Sequence, residues 1–387
     1  MKLLIHDLND GDWNKISHKY QGYNIISNNG SIRPCIGCFG CWDKDPGKCI
    51  IHDGYENMGH LIHHADEVVI ISRYTWGGFS SFVKNVLDRS LGYSLPFIEI
   101  KNGHSYLKKR YNENKPFSFI FYGCNIINEE QNNNTKIAVA ALCSLTRSYI
   151  KGITFVNNVQ IAPPKKRSMT LNVTNYNNVE EKIILLNASM RSANSNSAKL
   201  ADKLAMLLNK QTEIMHLEVF INRMTELIQI LSNAKILVLC TPIYDEGCPS
   251  QLIRLLELFA NEYNGGSKKI YVLSNDGLYD IKQFENLFST VRNWCQTMNF
   301  AYCGGLGISA GPLIVNYMSR FGSWPTKKVA QEMDRFCEAI NNNDKTEDIY
   351  TEPYFFPRFL YTFINNRTWG KKAKENGIRP EDLYRRL

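Results

Sequence analysis

Long apolar runs are missing from this 387-residue chain. Nowhere does it hold the roughly 18 consecutive apolar residues of a membrane helix, and Asp7 interrupts the short apolar patch in the opening MKLLIHDLND. Neither a membrane span nor a signal peptide is expected, which makes the cytoplasm the expected location. A long basic stripe with interleaved aromatics is also missing, although the formal net charge is +8. Residues 351–387 carry eight Lys/Arg against four Asp/Glu, so half of the excess sits in the tail and the rest of the chain is nearly balanced. No nucleic-acid partner is expected. A mildly basic surface suits anionic, phosphate-bearing small molecules. A disulfide framework is the third absence: eleven cysteines, an odd number, spread over so long a chain do not read as a secreted scaffold.

What is present is an ordinary globular composition, 44% hydrophobic and 21% charged. The length exceeds what one core usually fills, so two domains and an appendage are expected. Strand-length apolar runs at 2–7, 23–27, 67–72 and 117–123 alternate with helical patterns near 54–64, 79–91 and 131–150. The rhythm returns with strands at 182–189, 212–218, 235–242, 268–275 and 301–309, and helices at 195–209, 221–232, 249–262 and 281–299. Buried strands alternating with helices predict an α/β fold, two doubly wound parallel-sheet domains in tandem. The expected boundaries are 1–160 for the first domain, 161–181 for a polar linker with Pro163-Pro164, 182–340 for the second domain, and 341–387 for a C-terminal helical extension.

The segment NASMRSANSNSAKLADKLAMLL, 187–208, leaves a strand and enters an amphipathic helix through small hydroxyl residues and an arginine. Such a loop gathers free N–H groups, hydroxyl donors and the positive end of the helix dipole, which together bind a phosphate monoester. Ser189, Arg191, Ser195, Asn196 and Ser197 are the expected donors, although Ser195 or Asn196 taken alone would read as a plain helix cap. The loop after the next buried strand, CTPIYDEGCPSQL, offers Pro242, Ile243 and Tyr244 to line a flat ring. SNDGLYD adds Asn275, Asp276 and Gly277 at the equivalent end of the following strand, where ligands gather in open parallel sheets.

These three stretches, spanning roughly 182–310, resemble the flavodoxin-like NAD(P)H-dependent FMN reductases, with their Gly-Ser-Pro-Arg then Ser-Asn-Ser phosphate loop and Pro-x-Tyr flavin loop. The chain departs from that pattern at Ala188 and Met190, losing a conformational constraint but no donor. IRPCIGCFGCWDKDPGKCIIHD (32–53) and ADEVVIISRYTWGGFSSFVKNVLDRS (65–90) resemble the cysteine-bearing branch of the same family. There, however, the loop after the first strand is acidic, with Asp7, Asp10 and Asp12, and Arg73 stands in place of the proline. The resemblance therefore implies an asymmetric tandem in which the second half holds FMN and the first keeps the fold with a degraded phosphate site. It implies NADH or NADPH as donor, a small-molecule electron acceptor, and an internal pseudo-dimer of the two halves, with homo-oligomerisation left open. Tyr74 and Trp76 would wall the flavin or serve in packing.

Cys35, Cys38, Cys41 and Cys49 have the spacing C-x2-C-x2-C-x7-C. Three thiols on a tight loop with a fourth in reach suit a 4Fe-4S cluster, and the motif resembles that of the iron–sulfur flavoproteins. A thiol or disulfide pair and plain packing are the alternatives. His60 and His64 are spaced i, i+4 without the acidic helper of a metal helix, and with His63 read as surface residues. Cys240 and Cys248 read as packing residues. The sequence thus predicts an NAD(P)H-dependent FMN-binding oxidoreductase. An iron–sulfur flavoprotein electron carrier and a non-catalytic flavin-binding or regulatory protein are the alternatives.

Overall fold

The computed structural model describes residues 1–112, 114–124, 127–156 and 182–386. The expected linker, 161–181, lies outside the described residues. By its internal contacts the chain forms two compact units. The first holds the described residues from Met1 to Val156 together with Tyr244–Ser250 and the segment from Arg358 onward; the second holds those from Lys182 to Ile243 and Gln251–Pro357.

In the first unit, β1 (Lys2–His6), β2 (Tyr23–Ser27), β3 (Glu67–Arg73), β6 (Lys115–Tyr122) and β7 (Ser148–Val156) form one sheet, and β4 (Ser94–Lys101) pairs with β5 (His104–Lys109) as a separate hairpin. The sheet order is β2-β1-β3-β6-β7 and every pairing is parallel. Without the hairpin this is the flavodoxin-like order 2-1-3-4-5. Its central strands are apolar on both faces because helices cover both: Val68 and Ile70 face the core with Phe82, Val83 and Val139, while Leu4, Val69 and Ile71 face the other layer.

In the second unit, β8 (Ile183–Asn187), β9 (Thr212–His216), β10 (Ile236–Pro242), β11 (Lys269–Asn275), β12 (Ala301–Ile308) and β13 (Ile349–Thr351) form a sheet of order β13-β12-β11-β10-β8-β9. All its pairings are parallel, so the same 2-1-3-4-5 order recurs with one added edge strand. The α/β fold with two flavodoxin-like parallel sheets is as the sequence predicts.

Several elements differ from the sequence reading. The helix expected at 131–150 is Glu129–Thr146; Arg147, left-handed at φ 49°, ends it and β7 begins at Ser148. The hairpin β4–β5, the helix Lys327–Asn342 and β13 were not expected as elements. The C-terminal segment does contain a long helix, Arg358–Glu375, and its Trp369 packs edge-on to Trp42 and Phe39 in the first unit. Among the described residues no helix is long and apolar enough to cross a membrane.

Candidate functional site

In the second unit the predicted residues lie at the carboxyl ends of three adjacent strands, since β10 pairs with β8 on one side and β11 on the other. Asn187, the fully buried last residue of β8, organises the first loop. Its amide Nδ2 donates to the Ser192 carbonyl at 3.1 Å, and its Oδ1 accepts from the Ser189 N–H at 3.2 Å. Ser189 Oγ in turn accepts from the Arg191 N–H at 3.3 Å. Ser195 is buried and caps the helix Asn196–Leu207, accepting from the Ala198 N–H at 3.0 Å. A helix has no internal acceptors for its first N–H groups. That of Ala198 is taken by Ser195, and those of Asn196 and Ser197 have no acceptor within the helix. Arg191 is exposed at the loop's tip.

The neighbouring strand ends close on this loop. Asn275 Nδ2 donates to Ser197 Oγ at 2.7 Å, Ile243 N–H donates to the Asn275 carbonyl at 3.1 Å, and Gln251 Nε2 donates to the Ala188 carbonyl at 3.4 Å. Asp276 is half-buried: its Oδ1 accepts from the Gly277 N–H at 2.6 Å, while its Oδ2 is buried without a hydrogen-bond partner. Burial pushes the Asp276 carboxyl up to about 7, against the pull of the Gly277 and Leu278 N–H groups. Ser189, Arg191, Ser195, Asn196, Ser197, Pro242, Ile243, Asn275, Asp276 and Gly277 thus share one end of one sheet. Tyr244 belongs by its contacts to the first unit. Asn187, the brace of the loop, was missed as a functional residue; a buried amide at a strand end just before a run of serines was its signal.

The corresponding strand end of the first unit is filled by the protein itself. Asp7 accepts from the Arg73 N–H at 3.0 Å and from the Tyr122 hydroxyl at 2.9 Å, and its carboxylate is also bound by Ser80. The helix that follows, Asp10–Ile16, has Asn9 as its cap and Asp10 and Asp12 in its first turn. Its dipole is met by its own carboxylates.

The four clustered cysteines lie on a loop held by the helix Ser81–Asp88 and the residue after it. Asn85 Oδ1 accepts from the Cys35 N–H at 3.2 Å and its Nδ2 donates to the Arg33 carbonyl at 3.2 Å. Arg89, wholly buried, donates to Cys49 Sγ at 3.0 Å and makes a two-pronged pair with Asp53, both contacts 2.8 Å. Cys38 Sγ accepts from the Gly40 N–H at 3.4 Å. The same helix holds the 244–250 turn: Lys84 pairs with Asp88 and donates to the Tyr244 carbonyl at 2.8 Å, and Asp88 Oδ2 accepts from the Ser250 N–H at 2.9 Å. Gly37, at φ +61°, lies against Tyr244, and a methyl group there would collide with the tyrosine hydroxyl. Burial pushes the Cys35 and Cys41 thiols up, and the neighbouring sulfurs add to the effect. All four are free cysteines. Among the described residues no three His, Cys, Asp or Glu side chains stand together so as to hold a metal ion. The thiols as placed therefore do not fit a cluster.

Of the histidines, His64 is exposed and His60 and His63 are half-buried, with the His63 ring stacked on Tyr111 at 3.7 Å. Their partial burial is more than the surface placement expected. Cys240 and Cys248 are buried, as expected for packing residues. Trp76 forms part of a turn in which Thr75 bridges to Gly78, the counterpart of the Tyr244 to Gly247 bridge.

Residues 181–274 match the family model of NADPH-dependent FMN reductases. The family resemblance read from NASMRSANSNS and CTPIYDEG is thereby shown for that segment. An iron-sulfur flavoprotein of Methanocaldococcus jannaschii is 37% identical over 59 residues, 15% of this chain and 30% of the relative's length. Among solved structures, a flavone reductase is similar at 13% identity, covering 43% of this chain and 66% of that one with a TM-score of 0.34. An azoreductase from Bacillus anthracis str. Sterne is similar at 12% identity, covering 42% and 99% with a TM-score of 0.30.

Proposed function

We propose that this protein is a flavin-dependent oxidoreductase that binds FMN in its second unit, accepts electrons from NADH or NADPH, and passes them to a small-molecule acceptor. The observation that carries the reading is the braced loop Ser189–Ser197 at the carboxyl end of β8, which runs from an exposed arginine into a helix whose first-turn N–H groups have no acceptor within the helix. The donor set fits a phosphate monoester: main-chain N–H groups of Asn196 and Ser197, the Arg191 guanidinium, and the helix dipole behind them. Pro242 and Ile243 would flank the ring. Asp276, whose Oδ2 lacks a partner, would meet a polar edge of it, as a hydrogen-bond acceptor when ionised and a donor when protonated. When bound, the isoalloxazine supplies the hydride and electron chemistry. The chain's part is to orient the ring, exclude water from one face and leave the other open.

The test is anaerobic mixing of FMN-loaded protein with NADH and, separately, NADPH, following the flavin absorbance. Bleaching by either donor is the expected result; bleaching by dithionite alone would leave a binding module. A second reading, a one-electron carrier, is favoured by the iron-sulfur flavoprotein relative. Iron and acid-labile sulfide analysis of protein purified without oxygen separates the two.

A further inference from the structure

The hairpin β4–β5 builds a cavity of about 380 Å³ within the first unit, at the small end of the range for ligand sites. Among the described residues six cations line it, Lys101, Lys108, Lys109, Arg110, Arg147 and Arg386, together with one carboxylate, Glu99. Their placement is graded. Arg110 is buried at 2% exposure, Lys109 is half-buried, and the other four are exposed around the rim.

The hydrogen bonds of these cations go mostly to neutral oxygens. Arg110 donates to the carbonyls of Gly92 and Leu383, both at 2.8 Å, and of Arg385 at 2.5 Å. Lys109 donates to the carbonyls of Ser144 and Leu145 at the end of the helix Glu129–Thr146. Arg147 donates to the Asn112 side-chain oxygen at 2.6 Å, and Arg386 to the Arg110 carbonyl at 3.0 Å. Among the described residues Lys101 alone of the six makes an ion pair, with Glu99 at 2.6 Å. Neutral carbonyls satisfy hydrogen bonds but do not cancel like-charge repulsion. Burial holds the Lys109 ammonium down at about 8, against the pull of Glu246 and Glu99; Lys101 and Arg147 add a smaller push in the same direction as burial. Burial likewise lowers Arg110 to about 10. The aromatic wall is already used, since Tyr384 stacks on Phe97 at 4.9 Å and has the Lys108 ammonium over its ring at 5.5 Å. Selectivity therefore rests on charge and size rather than on stacking.

We propose that this cavity binds a compact polyanion carrying two phosphate groups, with Arg110 and Lys109 at its floor and Lys101, Lys108, Arg147 and Arg386 closing on it from the rim. Each lining cation offers N–H donors, and charge-assisted hydrogen bonds to phosphate oxygens are about twice as strong as neutral ones. The site is separate from the loop at the end of β8 and does not depend on the flavin reading.

The experiment uses the full chain and inorganic pyrophosphate as probe, followed by titration calorimetry at low ionic strength. Wild type should bind with about one pyrophosphate assigned to this site, and the exposed double variant Lys101→Gln/Arg147→Gln should bind at least about tenfold more weakly while keeping its thermal melting point. The charge-conserving Lys101→Arg/Arg147→Lys variant should keep the affinity within about threefold, and so should Arg191→Gln, which alters only the second unit's loop. Unchanged binding in the glutamine variant, or loss of binding on Arg191→Gln alone, overturns the proposal. A hexaglutamate peptide serves as the competing probe. If it binds in a manner that needs Lys101 and Arg147 while pyrophosphate does not bind, the surface recognises an acidic polypeptide and the small-anion assignment falls.

Discussion

His6 closes β1 with its ring 2% exposed, stacked on Trp13 at 4.3 Å, and both its nitrogens are buried without a partner. Burial alone holds its pKa down at about 4. An unfolded histidine titrates near about 6.5, so between those values the unfolded chain binds the extra proton. Stability contributed by the neutral ring is complete above about pH 6.5 and is lost as the pH falls toward about 4, by up to about 3 kcal/mol. The Asp53 carboxylate acts lower on the scale: burial pushes it up, but the bonds and charge of Arg89 and the Arg33 and Tyr55 N–H groups hold it below the usual carboxylate range. Its contribution disappears as the pH falls through that lower value. The first prediction concerns His6→Phe, which keeps the ring against Trp13 and removes the titration. Urea unfolding at pH 7 and at pH 4.5 should show the variant losing about 2 to 3 kcal/mol less than wild type across that interval. Equal losses would mean that the ring is protonated in the folded state.

At the scale of elements, the helix Asn196–Leu207 depends on one hydroxyl. Ser195, buried at 3% exposure, takes the Ala198 N–H, and Asn187 braces the preceding turn. Ser195→Ala should destabilise the second unit by about 1 kcal/mol and weaken FMN binding, measured by thermal melting and by fluorescence titration of the flavin. A stable variant with unchanged FMN affinity would remove Ser195 from the proposed phosphate site. This loop was legible because its signals are local: a buried run, a cluster of hydroxyls, then helical periodicity. The buried strands were legible for the same reason. β7 was not, because the preceding helix stops at Arg147, a left-handed residue without the glycine that usually marks such an end. The hairpin carried a readable signal in Asn102-Gly103, at φ 51° and 77°, the dipeptide that favours a tight strand reversal. Pro96 inside β4 and the polar β5, HSYLKK, hid it among loops. β13 is three residues long, too short for any periodicity to show. The role of the helix Ser81–Asp88 in holding both the cysteine loop and the 244–250 turn was beyond reach of the sequence. It rests on long-range contacts of Lys84, Asn85 and Asp88 that no spacing encodes.

At the scale of the whole molecule, one sheet order occurs twice while the loop of serines and an arginine after the first strand occurs once. In the second unit the strand end is followed by serines, an arginine and a helix whose first turn carries no acidic residue. In the first, Asp7 already occupies the N–H of Arg73 and the hydroxyls of Tyr122 and Ser80, and Asp10 and Asp12 face the following helix's dipole. A phosphate brought there would meet carboxylates at close range, and in a partly buried setting that repulsion costs several kcal/mol. Burial pushes the Asp7 carboxyl up from its ordinary value, but its three donors pull the other way and favour the ionised form. Replacing Asp7 alone would not create a cradle, because Asn9 still caps the helix and Asp12 still accepts from Lys15 at 2.7 Å. The chain should therefore take up about one FMN, in the second unit. Equilibrium dialysis with excess FMN should give about one flavin per chain for wild type and for Asp7→Asn, and close to none for Arg191→Ala/Ser195→Ala. Two flavins per wild-type chain, or one retained by the double variant, would show that the first unit binds flavin despite its acidic strand end.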